Sequence, residues 1–161
     1  MATQLNIGFL GAGKMATALA RSFVNAKLVT AKQLLAADPF PAARKNFAGE
    51  TGAKTSAANR EVASAATILI LATKPDQVAA ALAEISSAFT KKHLLISIAA
   101  GVTLAKLEAA LPAGARVIRV MPNTPALVGA GASAFALGKM RRRRTVSWQK
   151  NFCPPSAWRC R

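Results

Sequence analysis

A short glycine-rich turn, Gly11-Ala12-Gly13-Lys14-Met15-Ala16, joins an apolar run at 5–10 to an amphipathic run at 14–26. This G-x-G-x-x-[GA] spacing constrains the chain more than any other feature in it. Gly11 permits a tight turn from strand into helix. Gly13 lets a pyrophosphate approach the backbone with no Cβ in the way, and Ala16 is small enough for the helix to lie close on the strand. Phosphates placed there meet unpaired N–H groups and the positive end of the helix dipole. A rival spacing, Gly8-x4-Gly13-Lys14, matches the start of a nucleoside-triphosphate loop. Met15 stands where that loop needs a hydroxyl for Mg²⁺, and Gly8 falls inside the strand. Glycines that serve only a tight turn are the plainer alternative. The motif's place, after the first strand and opening the first helix, favours a dinucleotide.

The surrounding pattern agrees. Short apolar runs at 5–10, 33–37, 67–72, 94–99 and 117–121 read as strands. Runs at 14–26, 59–65, 76–88 and 104–111 read as helices, with Met15, Leu19 and Phe23 on one face of the first and Val78, Leu82 and Ile85 on one face of the third. Alternating nearly continuous apolar strands with helices predicts a doubly wound, mostly parallel α/β sheet, covered on both faces and joined by right-handed crossovers. An acidic residue is expected after the second strand, and Asp38 supplies it. Its carboxylate would accept hydrogen bonds from an adenosine ribose, favouring NAD, whereas Arg44 and Lys45 close behind could neutralise a 2′-phosphate, favouring NADP. Asp38 before Pro39 also suits a plain turn. The cofactor is therefore read as NADP or NAD.

Charge needs locating before it is interpreted. The chain has 161 residues and a net charge of +16, which on its face suggests a nucleic-acid binder. Residues 1–139 hold 15 Lys+Arg and all 6 acids, a net of +9; residues 140–161 hold 7 Lys+Arg and no acid. That last stretch also holds Trp148, Trp158, Cys153 and Cys160, residue types missing from 1–139. Two units are expected: a domain at 1–139 and a basic tail at 140–161. The 52% apolar composition excludes wholesale disorder. No apolar run reaches the roughly 20 residues of a membrane span, and the N-terminus lacks a signal peptide's basic patch, so the expected location is cytoplasmic.

Further motifs lie at the ends of the later strands: Ala72-Thr73-Lys74-Pro75, then Ser97-Ile98-Ala99-Ala100-Gly101-Val102, then Arg119-Val120-Met121-Pro122-Asn123-Thr124-Pro125. With IGFLGAGKMA at the start, they make the chain resemble the N-terminal Rossmann-type NAD(P)-binding domain of pyrroline-5-carboxylate reductases, collinearly from about Leu5 to Lys139. The resemblance implies an NAD(P)H-dependent oxidoreductase acting on a C=N bond, reducing 1-pyrroline-5-carboxylate to L-proline in the last step of proline biosynthesis. It also implies the site. Leu10, Gly11, Ala12, Gly13, Lys14 and Met15 would wrap the pyrophosphate, with Asp38 and Asn59 near the adenosine ribose. Ala72, Thr73, Lys74 and Pro75 would line the path toward the nicotinamide, and Ala99, Ala100 and Asn123 would flank its ring. All fall at carboxyl ends of strands, where open parallel sheets bind ligands.

No catalytic residue is assigned. A buried Lys74 could donate a proton to an imine, but its X-Pro context reads equally as a fixed turn with the ammonium toward cofactor or solvent. His93, beside Lys91 and Lys92, is expected to be a solvated loop residue, and Ser97 has no visible base partner. No metal site is expected: Cys153 and Cys160 lack a second pair.

Members of the resembled family continue into a second, helical domain that forms the dimer core and holds the substrate. This chain instead reads MRRRRTVSWQKNFCPPSAWRCR from Met140 onward. The expectation is a truncated chain that binds a nicotinamide dinucleotide but has little reductase activity, meeting pyrroline-5-carboxylate only if the missing domain is supplied. The family's oligomer interface would be largely missing. The tail is read as an accidental gene end, as a nucleic-acid arm through Arg141, Arg142, Arg143 and Arg144, or as a disordered segment of no function. The arm makes a small basic nucleic-acid-binding protein the rival to the enzyme reading, and it is disfavoured because the body holds no matching module.

Overall fold

The computed structural model describes residues 5–122 and 133–139. Asn123 and the expected tail at 140–161 lie outside the described residues. In chain order the elements are β1 (Ile7–Leu10), α1 (Lys14–Asn25), β2 (Leu34–Ala37), α2 (Pro41–Thr51), β3 (Lys54–Ser56), α3 (Asn59–Ala65), β4 (Ile68–Leu71), α4 (Val78–Ile85), β5 (Leu94–Ser97), α5 (Leu104–Ala109), β6 (Arg116–Pro122) and β7 (Ser133–Leu137). They build a 7-stranded sheet in the order β3-β2-β1-β4-β5-β6-β7. Every neighbouring pair is parallel except β6 with β7. The expected doubly wound, mostly parallel α/β sheet is what forms.

Alternation along each strand splits the core in two. Leu10, Leu69, Leu71, Leu95 and Val117 point to one face and pack with Val62 of α3, Leu82 and Ile85 of α4, and Leu107 of α5. Ile7, Phe9, Ile70, Ile96 and Ile118 point to the other, against Ala16, Ala20 and Phe23 of α1 and Phe47 of α2. Phe9 anchors the second face, with ring centroids 6.3 Å from Phe23 and 5.6 Å from Phe47. Burial of a side chain this size stabilises by about 1.5–3 kcal/mol. The buried residues of α1 are Ala16, Thr17, Ala20 and Phe23, and its two alanines and Phe23 share one apolar cluster with Ala36 of β2.

Three elements go beyond the sequence expectation. Helix α2 starts on Pro41 and ends at Gly52, whose φ of +69° supplies the left-handed cap. Its one large buried apolar side chain is Phe47, too little to show a helical period. β3 has three residues at the sheet's edge, and β7 returns antiparallel along β6. The helix expected at 76–88 divides into a 3-10 turn, Pro75–Gln77, and α4.

One expectation is overturned. His93 is not solvated: it is buried in front of β5, where Nδ1 accepts the Thr90 N–H at 2.8 Å and Nε2 lies 2.9 Å from the Ala63 carbonyl. An acceptor role at Nδ1 leaves the ring proton on Nε2, donated to Ala63. Phe89 packs against the ring at 5.1 Å, and the Arg116 guanidinium donates to the carbonyls of Lys92 and His93. The flanking lysines suggested solvent; the backbone groups of this connection needed an internal partner more. These contacts pin the amino end of the sheet, opposite the strand ends that carry the glycine turn.

Candidate dinucleotide site

The order of the sheet reverses between β1 and β4, because the chain runs outward through β2 and β3 before crossing back. That reversal opens a crevice at the carboxyl ends of the strands. The glycine turn sits at its mouth. The Gly11 N–H donates to the Ala37 carbonyl and the Ala72 N–H to the Leu10 carbonyl, both at 2.8 Å, so the turn is stitched to β2 on one side and β4 on the other.

Each glycine has a separate reason to be there. Gly11 adopts φ of +100°, and a Cβ on it would lie 2.8 Å from the Ala72 carbonyl oxygen. Gly13 is the N-cap of α1 in an ordinary extended conformation, and a Cβ there would meet nothing within 4 Å. The open side of Gly13 faces no protein atom, which suits an approaching ligand. No side chain caps α1 and its first turn holds no acid, so the N–H groups of that turn and the dipole's positive end remain available to an anion. These features fit a pyrophosphate.

Asp38, at the end of β2, reaches back to the same turn. Its Oδ2 accepts the Ala12 N–H at 3.0 Å and its Oδ1 accepts the Phe40 N–H at 2.9 Å. Arg44 Nη1 donates to the carbonyls of Asp38, at 2.7 Å, and Pro39, at 3.0 Å. Nearby, the Asp38 N–H donates to the Ser56 carbonyl of β3. Asn59 opens α3, and both its backbone N–H and its side-chain amide donate to the Glu84 carboxylate at 2.7 Å. Sequence reasoning missed Glu84 and Phe40. Glu84 lies on the polar side of α4 and shows no signal of its own, whereas Phe40 could have been found as a large aromatic between two prolines, 63% exposed.

Beyond β4, Ala72 and Thr73 face the crevice side of Gly11, and Lys74 and Pro75 begin the 3-10 turn. Lys74 is exposed. Thr73 Oγ1 and, on β6, Arg119 Nε are buried without a hydrogen-bond partner. Polar atoms left so at strand ends are places where a ligand's polar groups compensate desolvation. Ala99 is buried and Ala100 exposed past β5, while Ser97 is fully buried and its Oγ accepts the Ala99 N–H at 3.4 Å. Of the residues expected at the site, the structure brings the glycine turn, Asp38, Ala72 and Thr73 into contact; Asn59 is drawn toward Glu84. Among the described residues no cluster of side chains could hold a metal ion, and no helix is long and apolar enough to cross a membrane.

Comparison with known proteins follows the same lines. Pyrroline-5-carboxylate reductase 3 of Mus musculus is 40% identical over 138 residues, covering 86% of this chain and 50% of its own length. The pyrroline-5-carboxylate reductase of Methanosarcina acetivorans is 41% identical over 133 residues, 83% of this chain and 49% of its own. The Coxiella burnetii pyrroline-5-carboxylate reductase structure superposes with a TM-score of 0.85 at 28% identity, covering 93% of this chain and 56% of that one. The Plasmodium falciparum pyrroline carboxylate reductase, solved with NADP bound, gives 0.82 at 30% identity, covering 92% and 54%. The chain thus spans about half the length of the curated relatives it matches. What it resembles is their NAD(P)-binding half. A family model described as NADP oxidoreductase, coenzyme F420-dependent, matches residues 6–101, and the chain belongs to that family.

Proposed function

We propose that residues 1–139 are the cofactor-binding domain of a pyrroline-5-carboxylate reductase, acting in the cytoplasm, with residues 140–161 outside that domain. The observation that carries the cofactor reading is the uncapped first turn of α1, open at Gly13 and set at the switch between β1 and β4. The substrate comes from the relatives' names. A bound nicotinamide dinucleotide supplies a hydride for a C=N carbon. This chain's residues do the positioning. The turn from Leu10 to Met15 holds the pyrophosphate, Asp38 with Asn59 borders the adenosine ribose, and the strand-end residues Ala72, Thr73, Lys74, Pro75, Ala99, Ala100 and Asn123 line the nicotinamide side. Holding a reactant in one geometry lowers the barrier even where no side chain transfers a proton.

By themselves these 161 residues bind the cofactor and turn the substrate over slowly. Titration with NADH and NADPH, followed by an assay of pyrroline-5-carboxylate-dependent cofactor oxidation, tests both parts. Absence of binding by either dinucleotide defeats the cofactor reading, and turnover at a full-length reductase's rate defeats the second. A nucleic-acid arm at Arg141 to Arg144 finds no support in the fold or the relatives.

A further inference from the structure

We propose that Met121 is a site of oxidation to the sulfoxide, and that the Arg119 guanidinium beside it receives the new oxygen. Both side chains lie on β6, two residues apart and so on the same face of the sheet. Arg119 Nη2 donates to the Met121 sulfur at 3.4 Å, while Arg119 Nε is buried without a hydrogen-bond partner. Neither side chain belongs to the residues placed around the dinucleotide.

A thioether is a weak acceptor, and a guanidinium presents its N–H groups in a rigid planar fork. Nε and Nη2 share one donor edge of that fork; here one tooth is weakly bound and the other is not bound at all. Other arginines of the chain are better served. Arg21 meets the Glu50 carboxylate, and Arg44 and Arg116 meet main-chain carbonyls. At Arg119 a charged donor has been drawn partly out of water toward a partner that returns little. Met121 itself is open to reagents, being 41% exposed. Across the strand from it stands Ala134, and across from Arg119 stands Ala136. Both alanines are exposed, and neither is long enough to cover the sulfur.

Hydrogen peroxide is the oxidant. A sulfur lone pair attacks one peroxide oxygen, so an S–O bond forms as the O–O bond breaks. The departing hydroxide takes the proton of the transferred hydroxyl, leaving sulfoxide and water. Sulfur loses two electrons and the peroxide gains them. A weak acceptor thereby becomes a strong one beside a charged donor edge. The sulfoxide oxygen accepts from both N–H groups, which gives Nε the partner it lacks. Methionine oxidation in a packed setting disrupts its surroundings. At this position it completes a contact.

Graded peroxide treatment of the whole chain, followed by peptide mass spectrometry, gives the rate at each methionine. Met121 is expected to oxidise ~5-fold or more faster than the partly buried Met15. The melting temperature should stay unchanged or rise as Met121 is converted. Met121→Leu, treated alike, subtracts whatever peroxide does elsewhere in the chain. In Arg119→Leu the oxidised form should melt below its own untreated form, since the receiving edge is gone. Met121→Gln gives a reading that does not depend on how well that variant folds: its carbonyl imitates the sulfoxide oxygen, so it should melt above Met121→Leu. Oxidation of Met15 as fast as Met121 overturns the proposal. So does a fall in the unaltered chain's melting temperature beyond that of Met121→Leu, or Met121→Gln melting below Met121→Leu. Each of these results leaves the cofactor reading intact.

Discussion

Gly11 and Gly13 are two residues apart and respond to different demands. Alanine at Gly11 must hold φ near +100° with its Cβ 2.8 Å from a backbone oxygen. Gly11→Ala is expected to lose about 1–3 kcal/mol of stability, read as a lower urea midpoint. Alanine at Gly13 has a permitted backbone and open space. Gly13→Ala should therefore shift stability by less than about 1 kcal/mol, the scale of an N-cap change. Its dinucleotide affinity should drop ~10-fold or more, because the new methyl occupies the ligand's place. Matching melting and binding losses in both variants would contradict this division. His93 shows the reverse case, structural and remote from the crevice. His93→Gln is expected to lose about 1–3 kcal/mol through unsatisfied partners at Thr90 and Ala63, with cofactor affinity unchanged. Thermal denaturation beside one titration checks both halves. At this scale the tight turn at Gly11 and the place of Asp38 after the second strand were legible, since spacing alone locates them. The bond from Ala12 to Asp38 and the burial of His93 were not, because each joins groups distant in sequence through backbone atoms that carry no residue-specific signal.

Elements were legible in proportion to their apolar period. α1 and the buried strands β1, β4 and β5 stand out because every turn or every residue contributes to the core. α2 does not, since it rests on Phe47, on Pro41 at its start and on Gly52 at its end. A single anchor makes a sharp prediction. Phe47→Ala is expected to lose about 3–5 kcal/mol, with α2 losing amide protection ahead of α4 in hydrogen exchange. A loss below about 1 kcal/mol would mean that Phe9 and Phe23 hold that face without it. β7 was open to detection: Phe135 and Leu137 are half-buried between exposed Ala134 and Ala136, the alternation of a one-sided strand. The helix reading at 76–88 was overlong at both ends, since a 3-10 turn runs through Gln77 and α4 stops at Ile85.

For the molecule as a whole, the two poles of the sheet differ. The amino pole is closed by His93, Thr90 and Arg116, while the carboxyl pole leaves N–H groups and two buried polar atoms without partners. A ligand of the folded state that fills the open pole must stabilise the whole. At ~100 times its dissociation constant, a dinucleotide is expected to add about 2.7 kcal/mol, seen as a raised melting temperature. A melting curve unmoved at saturation would contradict this. The net charge of +16 loses its apparent meaning here, since +9 is spread over residues 1–139, where the crevice suits an anionic ligand.

The alanines under α1 have a further consequence. Ala16 and Ala20 are buried in the cluster that holds Ala36, and so small a side chain lets the start of the helix lie close on the sheet. A helix start seated by such packing leaves little ordering for a ligand to impose. Bulk added at Ala16 would lift the helix start, so affinity could be graded by one side chain's size without touching a single group that meets the ligand.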